Sequence, residues 1–328
     1  MNSLIEQARK LYSLTEYDII QVPHHEGGRN HIYICSLSDD KCVLRASSLN
    51  DRTEEDYLAE TEFVHFLAQN GAPVADVLPS INHRYVESVN VNGQKMFLCL
   101  FACAEGMLIS DNGYRYREGA PLEEYFYNTG KALGIIHRLS KEFAPRYRRA
   151  FYWEKYNPDY IDSLIPDSYK ELKGAIARRL ERFRLLPTDR NSFGLVHFDF
   201  SDGNYHIDMN TGKITVFDFD NCMNCWYMFD LANLWTHGVG WCQHEEEADK
   251  RRKFMEEYFS VTIKGYTSET SIAEEMLNKL PSFIDMVLIE NIVDELECCK
   301  RKNEELDYEH IATAAHCLIA DKPFAGFY

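Results

Sequence analysis

The chain has 328 residues and a mass of 38.2 kDa, enough for two folding units or one two-lobed unit, which excludes a small disulfide-stapled scaffold. With 45% hydrophobic and 27% charged residues it lies in the ordinary globular range, so wholesale disorder and low-complexity classes are excluded as well. Thirty-five Lys and Arg against 52 Asp and Glu leave a net charge of −17 at pH 7, which repels nucleic acid and anionic lipid and favours cationic partners.

Ten cysteines run from Cys35 to Cys317 without a regular framework, and the segment from Met1 to Lys10 carries Glu6 and lacks the apolar core of a signal peptide. Reduced thiols and a cytoplasmic location are the expectation. Apolar runs such as Met286 to Ile289 fall far short of the roughly 18 residues that span a bilayer, so no membrane partner is expected.

In chain order, the first hundred residues read as strands with one helix. Ile32 to Cys35 and Cys42 to Ala46 are short β-favouring runs, and Tyr85 to Val91 pairs with Gln94 to Phe101 across Asn92-Gly93, a strong hairpin signal. Between them Thr53 and Asp56 have the spacing of a capping box. Ala59, Phe63, Phe66 and Leu67 then repeat at helical spacing until Gly71 and Pro73 stop the helix. A boundary is expected near Ala102 to Gly106, placing an N-lobe at 1–103 and a C-lobe at 104–328. From Pro121 the pattern turns helical, with Phe126, Thr129, Leu133 and Ile136 on one face. A β interlude follows: Gly194 to Phe198, Tyr205 to Asp208 and Ile214 to Phe219, the last two joined through Asn210-Thr211-Gly212.

The chemistry concentrates in His197-Phe198-Asp199-Phe200-Ser201-Asp202-Gly203-Asn204, followed after a hairpin by Val216-Phe217-Asp218-Phe219-Asp220. Phosphoryl transfer from a nucleotide needs a carboxylate to orient the acceptor hydroxyl and take its proton, together with oxygen ligands that hold Mg²⁺ against the phosphates. Asp199, Asn204 and Asp218 supply that set. An Asp followed five residues later by an Asn lets one loop present base and ligand, and the hairpin returns the second carboxylate to the same place. Taken singly, each of these residues reads as a turn or cap. The order and spacing of the set are what point to a kinase.

This segment resembles the aminoglycoside phosphotransferase and choline kinase superfamily of small-molecule kinases, which share a fold with protein kinases. Over most of the chain further stretches are similar: Glu26-Gly27-Gly28-Arg29-Asn30-His31-Ile32-Tyr33 looks like the nucleotide-covering loop, Val43-Leu44-Arg45 like the third strand, and Glu60 stands where the helix glutamate would be. Gly130 to Leu139 and Phe229-Asp230-Leu231-Ala232 also look like family segments. The resemblance implies a protein-kinase-like two-lobed α+β fold, with a β-rich N-lobe carrying one helix and a mainly helical C-lobe.

It further implies that Asp199 is the catalytic base, that Asn204 and Asp218 ligate Mg²⁺, and that His197 buttresses the catalytic loop. Asp230 would brace that loop or cap the next helix. Gly27, Gly28, Asn30, Arg45 and Glu60 would hold the nucleotide, ATP or GTP. Two positions depart from the usual kinase pattern: the strand lysine is replaced by Arg45, with Lys41 four residues earlier, and the covering loop has only Gly27-Gly28 in place of G-x-G-x-x-G.

The expected reaction is Mg²⁺-dependent transfer of the γ-phosphoryl group to a hydroxyl of an aminoglycoside-like or other amine-bearing acceptor. Choline, ethanolamine or homoserine kinases, a Ser/Thr protein kinase of the same superfamily, and a nucleotide-binding pseudokinase are the alternatives. Between Asp285 and Glu309 nine acidic residues stand against Lys300, Arg301 and Lys302, which favours a cationic acceptor. Other motifs offer less. Cys222-x-x-Cys225 lacks a second ligand pair, Cys298-Cys299 reads as one packed and one exposed thiol, and His24-His25 reads as a solvated pair. Neither G-x-S-x-G nor H-E-x-x-H is present.

Overall fold

The computed structural model describes residues 2–23, 30–48 and 52–328. Ten strands occur among them: β1 (Asp18–Gln21), β2 (Asn30–Leu37), β3 (Asp40–Ser48), β4 (Val77–Leu78), β5 (Glu87–Val91), β6 (Gln94–Ala102), β7 (Phe193–Val196), β8 (Tyr205–Ile207), β9 (Ile214–Val216) and β10 (Met223–Trp226). The helices are α1 (Asn2–Leu11), α2 (Glu54–Gln69), α3 (Leu122–Ser140), α4 (Tyr152–Lys155), α5 (Pro158–Leu164), α6 (Lys170–Phe183), α7 (Tyr227–Cys242), α8 (Ala248–Thr267), α9 (Glu274–Leu277), α10 (Leu280–Lys302) and α11 (Tyr308–Ala320).

The first six strands form one antiparallel sheet in the order β1-β2-β3-β6-β4, with β5 also paired to β6. The Asn92-Gly93 turn closes the β5–β6 hairpin with Val91 opposite Gln94, and both turn residues take positive φ, 53° and 84°, as a primed turn requires. Strand alternation then sorts the side chains. Cys42, Leu44 and Ala46 of β3, with Met96, Leu98 and Leu100 of β6, face a cluster closed by Leu4, Ala8 and Tyr12 of α1. Phe97 and Cys99 lie on the other face with Tyr57 of α2. That face also receives Arg45, whose guanidinium lies 5.8 Å from the Tyr57 ring and 5.1 Å from that of Phe101.

Helix α1 is a second helix in this half, where the sequence pattern predicts one; the Leu4, Ala8, Tyr12 spacing is its signal. Helix α2 begins at Thr53 with the expected capping box, both reciprocal bonds formed with Asp56, and the chain turns away at Gly71 with φ 82°.

After β6 the chain passes through 103–106 and bridges antiparallel to β8 at Met107 and Ile207. Gly106 has φ 94°, and a Cβ there would sit 2.1 Å from the Ile207 carbonyl oxygen, so only glycine lets the two backbones meet. Beyond this point the fold is mainly helical. α3 packs along α8 so closely that a Cβ on Gly130 would lie 1.9 Å from the Thr262 carbonyl oxygen. Buried Phe126, Leu133 and Ile136 line its inner face, and α7 and α10 complete the core with Leu231, Trp235, Phe283 and Ile289.

Two small ribbons sit on this core: β8 with β9, and β10 with β7. The interlude is shorter than the sequence pattern suggests. The strands end at Val196 and Val216 because Phe198 and Asp218 adopt left-handed backbone, φ 73° and 62°, and residues 219–221 form a 3₁₀ turn. All ten cysteines are free thiols, and Cys298 and Cys299 are both half-buried, in place of one packed beside one exposed.

Candidate active site

Loop 197–204 runs from β7 to β8, and the hairpin of β8 and β9 brings Asp218 back beside it. The loop is anchored from beneath by Asp230 in the first turn of α7, which is fully buried. Its Oδ2 accepts from the His197 backbone N–H (3.0 Å) and its Oδ1 from the Phe198 N–H (2.9 Å). His137 of α3 lies on the same carboxylate, with Nε2 3.1 Å from Oδ2 and Nδ1 3.1 Å from the Tyr266 hydroxyl. Burial pulls the His137 imidazole pKa below its ordinary value, so the ring is neutral and donates its one proton to Asp230. Phe198 is held in its left-handed conformation by this bond and by stacking on Phe229 at 4.2 Å.

His197 is buried, with Nε2 3.0 Å from the Phe217 carbonyl oxygen, while its Nδ1 accepts from the Asp199 N–H at 3.3 Å. One imidazole thus ties loop 197–204 to the strand end that precedes Asp218. Asn204 donates its side-chain N–H to the Asp199 carbonyl oxygen at 2.8 Å, and its backbone carbonyl accepts from Phe217 N–H at 2.9 Å. The amide nitrogen is spent on the loop and the amide oxygen is left as a donor atom. Burial raises the Asp199 carboxyl above the usual range, with His197 opposing and Asp220 reinforcing the shift.

Asp218 lies next to Asp220, and its protein surroundings, followed by that neighbour, push its carboxyl up to about 8, with Arg45 opposing. Its side chain keeps 46% exposure, the open side from which a cation would approach. Asp220 is a carboxylate to which the sequence pattern assigns no role. It is buried, accepts from Asn30 Nδ2 at 2.9 Å, and adds negative potential at both Asp199 and Asp218. Its signal was the repeat of an aspartate two residues after Asp218.

Arg45 and Glu60 form a buried two-pronged pair, Nη1 to Oε1 at 2.7 Å and Nη2 to Oε2 at 2.6 Å, and Arg45 Nη1 lies 3.8 Å from Asp218 Oδ1. Arg45 Nε is buried and has no hydrogen-bond partner among the described residues. The structure therefore brings together Asn30, Arg45, Glu60, His197, Asp199, Asn204, Asp218 and Asp230. Gly27 and Gly28 lie outside the described residues, as do His24 and His25. The Asp218 carboxylate and the Asn204 amide oxygen are hard oxygen donors of the kind that Mg²⁺ selects, so this pair fits that ion.

Glu290 of α10 is close enough to Asp199 for their charges to interact. Burial, then Asp294, pushes the Glu290 carboxyl up to about 8, Lys155 opposes the shift, and Asp199 and Glu297 add to it. Glu297 accepts from the Tyr160 hydroxyl at 2.8 Å. Tyr152 beside them is buried, and its hydroxyl has no partner among the described residues.

The sequence model of the phosphotransferase enzyme family matches residues 21–259. This chain belongs to that family. It is accordingly a small-molecule kinase, a phosphotransferase with an alcohol group as acceptor. The amicoumacin kinase of Bacillus subtilis (strain 168) is 28% identical over 268 residues, spanning 80% of this chain and 76% of that protein. Among solved structures, an amicoumacin kinase in complex with AMP-PNP, Ca²⁺ and Ami superposes with a TM-score of 0.82 at 20% identity, over 100% of this chain and 95% of that one. A microcompartment-associated aminopropanol kinase gives 0.67 at 18% identity, over 98% and 94%. The choline kinase of Streptococcus pneumoniae gives 0.61 at 16%, over 98% and 99%. These neighbours share the protein-kinase-like α+β architecture. No helix among the described residues is long and apolar enough to cross a membrane.

Proposed function

We propose that this kinase transfers the γ-phosphoryl group of ATP, with Mg²⁺, to a hydroxyl of a cationic, amine-bearing small molecule. The observation that carries the reading is the convergence of Asp199, Asn204 and Asp218 beside the buried Arg45–Glu60 pair. Asp199 orients the acceptor hydroxyl and takes its proton as the new O–P bond forms and the bond from the γ-phosphorus to the β,γ-bridging oxygen breaks. A base of raised pKa suits that proton transfer. Asn204 Oδ1 and the Asp218 carboxylate would hold Mg²⁺, which when bound neutralises charge on the phosphates. Arg45, fixed by Glu60, supports phosphate oxygens with its remaining N–H, and Asn30 lies at the nucleotide side of the site.

The acceptor reading rests on α10. Glu290 interacts by charge with Asp199, and Asp294 and Glu297 stand near Glu290 on the same helix, an acidic cluster that suits an ammonium group better than a neutral sugar. Similarity to two amicoumacin kinases puts amicoumacin first in the panel, followed by aminoalcohols, choline and aminoglycosides. The test is Mg²⁺-dependent ADP release across that panel, beside Asp199→Asn. Stimulation by one amine-bearing class that vanishes in the variant is the expected result. Nucleotide binding without turnover on any acceptor would refute it.

A further inference from the structure

Between α3 and α4 the chain reads Arg146-Tyr147-Arg148-Arg149, and this stretch docks on the acidic outer side of α2. Glu62 accepts from the Arg146 backbone N–H (3.0 Å) and Nε (2.5 Å) and from the Tyr147 N–H (3.3 Å), and Glu55 accepts from the Arg148 N–H (3.3 Å). Arg149 goes further inward and is buried. Its Nε donates to the Cys222 carbonyl (2.6 Å), Nη2 to the Asp220 carbonyl (2.6 Å) and Nη1 to the Asp56 carbonyl (3.2 Å), with Asp56 Oδ1 3.7 Å from Nη1. One guanidinium therefore joins the first turn of α2 to the 3₁₀ turn that directly follows Asp218.

The consequence lies in what each end carries. Asp56 is one helical turn before Glu60, which holds Arg45, and the 3₁₀ turn fixes the backbone whose left-handed residue is Asp218. Arg45 and Asp218 belong to different halves of the molecule and meet only at 3.8 Å. Their spacing depends on how α2 sits against residues 219–222, and Arg149 is the cationic side chain that bonds both. Arg52 Nη2 to Asn221 Oδ1 (2.8 Å) and the edge contact of Phe63 with Phe219 (6.0 Å) line the same junction. We infer that Arg149 is a positioning residue for metal binding, setting the register between Asp218 and the Arg45–Glu60 pair. The inference rests on Asp218 being a metal ligand, as proposed above.

Full-length protein with AMP-PNP is titrated with Mn²⁺ and the free ion is read by electron paramagnetic resonance, for the wild type, Arg149→Lys, Arg149→Met and Glu62→Gln. Far-UV circular dichroism checks that each is folded. The Mn²⁺ half-saturation should rise about 10-fold or more in Arg149→Met, as loss of an outer-shell partner typically does, with partial rescue in Arg149→Lys. Glu62→Gln, which keeps the side-chain shape at the outer end of the clamp, should move it the same way by roughly 3-fold, because it loosens the same docked segment. KM for the acceptor should stay unchanged while kcat falls. Unchanged half-saturation in folded Arg149→Met and Glu62→Gln would overturn the inference and leave the kinase site standing. Failure of the wild type to bind Mn²⁺ with AMP-PNP would overturn the metal reading and this inference with it.

Discussion

Asp230→Asn tests whether one buried carboxylate holds the catalytic loop. Its two oxygens accept three hydrogens, from the His197 and Phe198 backbone and from His137. The amide has one accepting oxygen. Placed at the Oδ2 position it keeps His197 and His137 and turns its NH₂ toward the Phe198 N–H, orphaning one buried donor; flipped, it orphans two. The first arrangement wins, at about 2–3 kcal/mol for one charge-assisted bond and the unsatisfied donor it leaves. For a chain of this size that lowers Tm by roughly 3–4 °C. Activity should suffer more than stability. Phe198 at φ 73° loses the bond that holds it there, and Asp199 is the next residue, so a shift of the order of 1 Å costs about 100-fold in kcat. Thermal unfolding and steady-state ADP release measure the two effects on one preparation. A Tm within 1 °C or so of wild type, or kcat within about twofold, would refute the argument that Asp230 carries this load.

Because the Asp218 carboxyl is raised to about 8, a cation binding there must displace a proton below that pH. Apparent Mn²⁺ affinity should therefore climb by up to about tenfold per pH unit from 6 towards 8 and level off above; a pH-independent affinity would contradict it. The same raised carboxyl, with Glu290, disfavours the metal-free fold when ionised. The stability that their protonated forms contribute is fully present near pH 4 and is lost as pH rises through about 8, so metal-free Tm should fall across that window; a flat Tm would count against both shifts. Measured at about pH 9, where Glu290 is ionised, Glu290→Gln should raise KM for a cationic acceptor about 10-fold or more while leaving KM for ATP unchanged, and equal effects on both would remove α10 from the acceptor site. Gly130→Ala drives a methyl against the Thr262 carbonyl and forces α3 and α8 apart, for a loss of about 1–3 kcal/mol in denaturant unfolding; an unchanged midpoint would show that the helices yield freely.

What was legible in the sequence had a local cause. The β5–β6 hairpin follows from Asn92-Gly93, the start of α2 from Thr53 and Asp56, and the loop from Asp199 to Asn204 from a spacing that one turn can satisfy. Strand ends were legible less well, because Phe198 and Asp218 are β-like in pattern and left-handed in fact. Their conformation is imposed from outside, by Asp230 for one and by the turn that Arg149 grips for the other. Arg149 itself had no sequence signal. It sits in a basic run that reads as solvated surface, and only the return of residues 219–222 to α2 gives its guanidinium three carbonyls to bind. β10 and β4 were missed for the same reason: each is a short run whose partner, β7 or β6, lies far away along the chain.

Arginine in the place of the usual strand lysine changes the electrostatics of this site less than it changes its geometry. Both side chains are cationic at neutral pH, but the guanidinium fork matches the Glu60 carboxylate with two parallel bonds, which a lysine cannot do. Arg45 is thereby more rigidly committed to α2, and only its remaining N–H groups can face a phosphate. Around it stand four carboxyl groups, Glu60, Asp199, Asp218 and Asp220, of which it pairs with one. Once Asp218 has given up its proton, above about pH 8 or to an incoming cation, the pocket is anionic and repels the free triphosphate. On the proposed reading, the nucleotide enters with its divalent cation, and free ATP competes poorly with MgATP. The usual electrostatic obstacle to phosphate binding becomes a filter for the metal-bound form, and the alignment of Asp218 with Arg45 decides whether that form is held at the distance phosphoryl transfer needs.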